Sequence, residues 1–179
     1  PSVVEFSPNS GAFSITTAEV TSSSQAEVTY DHSGSAVLSV SVNGRDAQKT
    51  DVSGSGSFSV ALDEGYNTVR VGIALTEYVT VYTEKQIFSD RYPPMLIFYE
   101  DVSRITTSDS SFLLVGETEA GSRFSVNGEE RELAADGSFS LELSLNDGAN
   151  VFEIVSIDAA GNKSARSVTL TKSAVVDNS

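Results

Sequence analysis

The chain has 179 residues, with 25 acidic side chains against 11 basic ones and a formal net charge of −14 at pH 7. That charge repels phosphate backbones and anionic lipid, so neither nucleic acid nor a membrane surface is expected as a partner. The absence of Cys excludes disulfides and thiolate metal sites, and no apolar run is long enough to span a bilayer as a helix.

From the N-terminus, residues 3–6 read as a first strand. His32, the only histidine, stands in Tyr30-Asp31-His32-Ser33 and reads as part of a polar loop. No Gly-x-Ser-x-Gly elbow accompanies it, so nucleophilic catalysis lacks its usual parts. Val42-Asn43-Gly44 carries the residue pair favoured in a type I′ hairpin, where both central residues need positive φ. Gly56-Ser57-Phe58-Ser59 then reads as a glycine turn entering a strand, because Phe58, Val60 and Leu62 alternate with small or polar residues. The segment 62–67 closes on a Gly-x-Asn corner, after which Val69, Val71 and Ile73 mark the inward positions of a central strand.

Tyr78-Val79-Thr80-Val81-Tyr82 continues the alternation. With Val79 and Val81 facing the core, Tyr78 and Tyr82 point outward about 13 Å apart at the usual strand rise. Pro93-Pro94 cannot donate successive ladder bonds, so a boundary is expected between residues 89 and 94. Two domains follow, residues 1–91 and 92–179, joined by a segment short enough to favour a fairly stiff arrangement.

The second domain repeats the first. After an opening strand at residues 95–100 come Val126-Asn127-Gly128, Gly137-Ser138-Phe139-Ser140 and a 145–150 corner ending in Asn150. The repeat length of roughly 80 to 90 residues is that of one β-sandwich. Each repeat therefore reads strand, Asn-Gly turn, strand, glycine turn, strand, Gly-x-Asn corner, strand. In the second, Phe139, Leu141, Leu143 and Leu145 alternate inward, as do Phe152, Ile154 and Ser156. Val151, Val155 and Ile157 form an opposite apolar strip that needs cover. Residues 173–179 read as a fraying end. The expected fold is all-β, with two tandem immunoglobulin-like antiparallel β-sandwich domains.

The motifs of the second repeat carry a family resemblance. Gly116-Glu117-Thr118-Glu119-Ala120-Gly121, Val126-Asn127-Gly128, Asp136-Gly137-Ser138-Phe139 and Asp158-Ala159-Ala160-Gly161-Asn162 resemble the bacterial immunoglobulin-like modules of the glucodextranase B-domain type. The first repeat shares the Asn-Gly and Gly-x-Asn elements and, through Tyr78 to Tyr82, is also similar to bacterial cadherin-like sandwich modules. The resemblance implies an exported or cell-surface bacterial protein, and modules beside catalytic domains of polysaccharide-degrading enzymes. Roughly a quarter of the chain is Ser or Thr and only four residues are Lys, a composition that suits solvated sheets of such a protein.

Candidate chemistry is sparse. Glu129-Glu130, Glu132, Asp63-Glu64, Glu117 and Glu119 supply carboxylates, but at turns and solvent-facing positions without the apolar pocket that separates a glycosidase pair. No cofactor is expected. Asp158 and Asn162 are the candidate ligands for calcium, set against the simpler reading that they bond their own turn. Tyr78 and Tyr82 are the candidate ligand-binding residues, able to stack on sugar rings or to seal a surface. The function expected is a non-catalytic structural or interaction module that spaces or presents other domains of the same protein. The alternative is a carbohydrate-binding accessory region, with protein or polysaccharide as partner.

Overall fold

The computed structural model describes residues 12–15, 17–45, 48–74 and 80–173, without side-chain detail at 12–15 and 32–34. Residues 3–6, Tyr78, Val79 and the end beyond residue 173 lie outside the described residues. Two units divide the chain, Pro1–Arg91 and Tyr92–Ser179. Every regular element described is a β-strand.

The first unit holds β1 (Ala12–Ile15), β2 (Val20–Thr21), β3 (Gln25–Val42), β4 (Gln48–Ala61), β5 (Gly65–Ala74) and β6 (Thr80–Ser89). They form one six-stranded sheet in the order β1-β3-β5-β6-β2, with β4 on the remaining edge of β3. β3 is long enough to serve both layers. Along its free side β1 covers residues 28–31, and β5 covers 37–42.

The second unit holds β7 (Leu96–Phe98), β8 (Ile105–Thr107), β9 (Ser111–Thr118), β10 (Arg123–Val126), β11 (Glu129–Arg131), β12 (Ser138–Ser144), β13 (Gly148–Ile157) and β14 (Lys163–Lys172). Its two sheets are β11-β10-β13-β14-β8 and β12-β9-β7. This is the division of an immunoglobulin-like sandwich. Among the described residues pairing is antiparallel with one exception in each unit: β2 lies parallel to β6, and β8 parallel to β14.

The same topology is thus realised in two ways. β9 and β10 occupy the places that β3 fills alone, and β11 and β12 those of β4. In the second unit a turn at residues 119–122, closed by the Ser122 N–H to the Glu119 carbonyl at 3.2 Å, separates β9 from β10. In the first a β-bulge between His32 and Ser35 keeps β3 continuous. The glycine turn expected near Gly56 is therefore absent, since β4 runs unbroken through Gly54 and Gly56. Sequence length supplies the reason. Fifteen residues separate Asn43 from Phe58, whereas twelve separate Asn127 from Phe139. The longer segment stays paired as a hairpin arm, while the shorter one turns at 134–138 and changes sheet.

Both Asn-Gly pairs adopt the positive φ of a type I′ turn, Asn43 at 55° and Gly44 at 71°, Asn127 at 51° and Gly128 at 80°. The alternating residues face inward as their spacing requires: Val60, Leu62, Val69, Val71 and Ile73 are buried, as are Phe139, Leu143, Leu145 and Ile154. Phe124 stacks on Phe139 with ring centroids 4.6 Å apart, a contact worth about 1 kcal/mol beyond the area it buries. Of the outward strip expected in β13, Val151 is exposed, but Val155 is buried between the flanking strands of its own sheet.

Candidate functional site

The duplicated asparagines bond to the backbone of the turns and strands beside them. Asn43 exchanges two bonds with Thr68: its N–H donates to the Thr68 carbonyl at 2.9 Å, and its Oδ1 accepts the Thr68 N–H at 2.8 Å. Asn127 does the same with Glu153, at 2.8 Å each way. Asn67 Oδ1 accepts the Asp63 N–H, while its Nδ2 donates to the carbonyls of Asp63 and Gly65. Asn150 closes the equivalent corner on Asn146 and Gly148. Turn N–H and carbonyl groups that would otherwise be stranded are thereby satisfied.

The Asp158 corner follows the same logic. Asp158 is buried; its Oδ1 accepts the Asn162 N–H at 2.9 Å and its Oδ2 accepts the Asn162 side-chain amide at 2.9 Å. Both carboxylate oxygens are occupied by the turn they belong to. Among the described residues no three His, Cys, Asp or Glu side chains gather where they could hold a metal ion.

Titration behaviour is perturbed at three exposed groups. The hydrogen bond from the Tyr99 hydroxyl to Glu117 Oε2, 3.0 Å long, raises that phenol above its ordinary 10.0. Hydrogen bonds from Ser103 and from Ser138 hold the Asp101 and Asp136 carboxyls below 3.8. The largest cause of each shift is one neighbouring partner at the surface, Glu117, Ser103 or Ser138. None of the three faces a second carboxylate across an apolar pocket, the arrangement glycoside hydrolysis uses.

Tyr82 sits on the outer face of β6, beside Val81, which packs toward the core, and is 50% exposed. Tyr78 lies outside the described residues, so the pair is represented by Tyr82 alone. Its strand partner is Gly72. A methyl group at Gly72 would come within 2.5 Å of the Tyr82 ring, so the absent side chain is what lets the ring lie over the sheet. The Arg70 guanidinium covers the ring with its carbon 3.9 Å from the centroid, and Arg70 also meets Glu84 at 3.4 Å. A cation over a tyrosine at this distance contributes roughly 0.5–1 kcal/mol at an exposed site.

Beside Tyr82 lies an open trough of about 450 Å³, lined by Ser39, Ser41, Arg45, Lys49 and Arg70 among others. Sequence reasoning missed these partners of Tyr82. Period-two alternation identifies the outward positions of β5 and β6, but which residues stand opposite them depends on the register of four strands. Two exposed apolar groups were missed for the same reason. Tyr66 is 80% exposed and meets Phe88 with ring centroids 4.7 Å apart. Ile97, Tyr99 and Leu113 line the outer side of the β12-β9-β7 sheet.

The family model for glucodextranase, domain B, matches residues 115–174, about a third of the chain. The resemblance read from the motifs of the second repeat is borne out by that match. No curated protein matches the sequence. Among solved structures, the chain is similar to the fibronectin(III)-like modules of Clostridium thermocellum CbhA. The identity is 10%, the TM-score 0.53, and 94% of this chain and 98% of that one are covered. It is also similar to the ICAM-5 D1–D4 ectodomain fragment, with 15% identity and a TM-score of 0.50. That match covers 93% of this chain and 48% of the fragment, so the chain spans about half of it. At these identities the likeness establishes the all-β sandwich fold. No helix among the described residues is long and apolar enough to cross a membrane.

Proposed function

We propose that this chain is a non-catalytic structural and interaction module of a bacterial exported or cell-surface protein, in which two sandwiches, residues 1–91 and 92–179, space or present neighbouring domains. The observation that carries this reading is the parallel pairing in each unit. β2 runs beside β6, the last strand of its unit, at Val20 with Phe88 and Thr21 with Ser89. β8 runs beside β14 over Ile105 to Thr107. Tension entering near the first strands and leaving through the last pulls such a pair in opposite directions along its length. The bonds then share the load in shear instead of opening one at a time.

The recurrence of asparagine in both copies supports the same reading, because the repeated polar residues hold turns and offer no repeated catalytic group. Incubation with a panel of polysaccharides tests it. No product release is expected; turnover abolished by replacing one carboxylate would overturn the reading.

A second reading, as a carbohydrate-binding accessory region, is favoured by one observation, the half-exposed Tyr82 beside an open trough. A glycan array tests it. Specific retention lost in Tyr82→Ala would support binding, and an array without retained glycans would leave the spacer reading alone.

A further inference from the structure

Across the outer face of the first unit, one row of side chains runs over four strands. Lys49 on β4 pairs with Ser39 on β3, Ser39 with Gly72 on β5, and Gly72 with Tyr82 on β6. The open floor of the row is therefore Ser39, with the Lys49 cation on one side and the Tyr82 ring, lying over Gly72, on the other. The open width between that ring and Lys49 is one to two strand spacings, about 5–10 Å, which one sugar ring fills.

Charge is distributed unevenly here. The chain carries 11 basic residues, and Arg45, Lys49 and Arg70 line this one trough, with no carboxylate lining it among the described residues. Arg45 is neutralised by contact with Asp63, and Arg70 meets Glu84 at 3.4 Å. Lys49 makes no ion pair among the described residues, so it is the trough's uncompensated cation.

The second unit provides the comparison. Its row at the same distance from the Asn-Gly turn, four residues before Asn127 as Ser39 is before Asn43, runs across β10, β13 and β14 as Arg123, Ile157 and Lys163. The glycine floor and the aromatic ring are replaced there by isoleucine and lysine, although the topology is the same. A purely structural role is met by both rows. Only the first is shaped to receive something.

We infer that this trough binds a short stretch of anionic polysaccharide, one whose sugars carry carboxylates. Tyr82, its ring lying over Gly72 with the Arg70 guanidinium on it, offers its exposed edge to a pyranose, and the Ser39 and Ser41 hydroxyls meet sugar hydroxyls. Lys49 pairs with a sugar carboxylate. Aromatic wall and hydroxyl floor favour a sugar over an acidic peptide, which needs charge alone. This inference deepens the carbohydrate-binding reading and rests on it.

Titration calorimetry with galacturonate oligosaccharides tests it, using their methyl esters, dextran oligosaccharides and polyglutamate as further probes. Galacturonate binding is expected, weakened at least tenfold by raised salt, by Lys49→Gln and by Tyr82→Ala, and retained in Lys49→Arg. The esters should bind at least tenfold more weakly. Circular dichroism confirms that each variant is folded. Equal binding of acid and ester, unaffected by Lys49→Gln, or binding of dextran alone, would overturn the anionic assignment while leaving the carbohydrate reading intact. Polyglutamate binding as tight as galacturonate would overturn the sugar assignment. Failure to bind any of the sugars would overturn both.

Discussion

Asn43 Nδ2 donates to Asn67 Oδ1 at 3.1 Å, joining the hairpin turn of the first unit to the corner that opens its central strand. The meeting follows from register. Asn43 bonds Thr68, the residue next to Asn67, whereas Asn127 bonds Glu153, three residues beyond Asn150. A two-residue slip between the copies keeps every side chain on its proper face, because the strand period is two, yet it separates the second pair of asparagines.

Coupling between the two asparagines should therefore differ between the units. Asn67 is 1% exposed, and Asn67→Ala strands the Asp63 N–H and takes from the Asn43 amide one of its two acceptors, leaving it Asp63 Oδ2, so a loss of about 1–3 kcal/mol is expected. In a urea-denaturation cycle, Asn43→Ala and Asn67→Ala should be non-additive by at least about 0.5 kcal/mol. Asn127→Ala and Asn150→Ala should add. Additivity in both units would show that the 3.1 Å contact carries no energy.

The sheets of the second unit are tied by a buried hydroxyl pair. Thr118 Oγ1 lies 2.7 Å from Ser156 Oγ and 2.6 Å from the Met95 carbonyl. A carbonyl only accepts, so the Thr118 proton goes to Met95 and Ser156 supplies the proton between the hydroxyls. Thr118→Val should cost about 1–3 kcal/mol in urea unfolding. Adding Ser156→Ala should cost less than its separate effect, since the orphaned hydroxyl is then gone. A full additive cost would contradict the chain of bonds.

Gly72 is a close-approach position. Alanine there meets the Tyr82 ring at 2.5 Å and Ser39 Oγ at 2.8 Å. Gly72→Ala is expected to destabilise the first unit by about 1–3 kcal/mol and to lift Tyr82 off the sheet. Proton NMR should show the ring losing its upfield-shifted Arg70 contacts. Unchanged Arg70 resonances would mean that the ring finds its place without the glycine.

Acid should act through Asp136. Ser138 donates to Asp136 Oδ1 from its hydroxyl at 2.7 Å and from its N–H at 3.0 Å, and the folded-state pKa lies below 3.8. A depressed carboxyl contributes stability above its unfolded value, and that contribution is lost as pH falls through the folded value. Thermal melts of the native chain and Asp136→Asn should differ at pH 7 and converge as pH drops below about 3.8. A difference that persists unchanged to acid would assign the aspartate's effect to geometry alone.

The fold was legible where local chemistry decides it. Asn-Gly pairs require positive φ, alternating apolar residues require one buried face, and Pro93-Pro94 interrupts a ladder. What escaped was set by strand register and length. Nothing local in Gly54-Ser55-Gly56 distinguishes a turn from a long paired arm; the bulge at His32 to Ser35, on the partner strand, decides it. Tyr82 was visible as an outward aromatic, but Lys49 stands 33 positions away and joins it only through two intervening strands.

Single-molecule extension of the chain between its ends tests the central claim most directly, that two independent sandwiches space other domains under load. Two separate unfolding events are expected, each releasing on the order of 300 Å, the contour length of one unit of this size. A single event releasing both units together, or a smooth extension without force peaks, would contradict it.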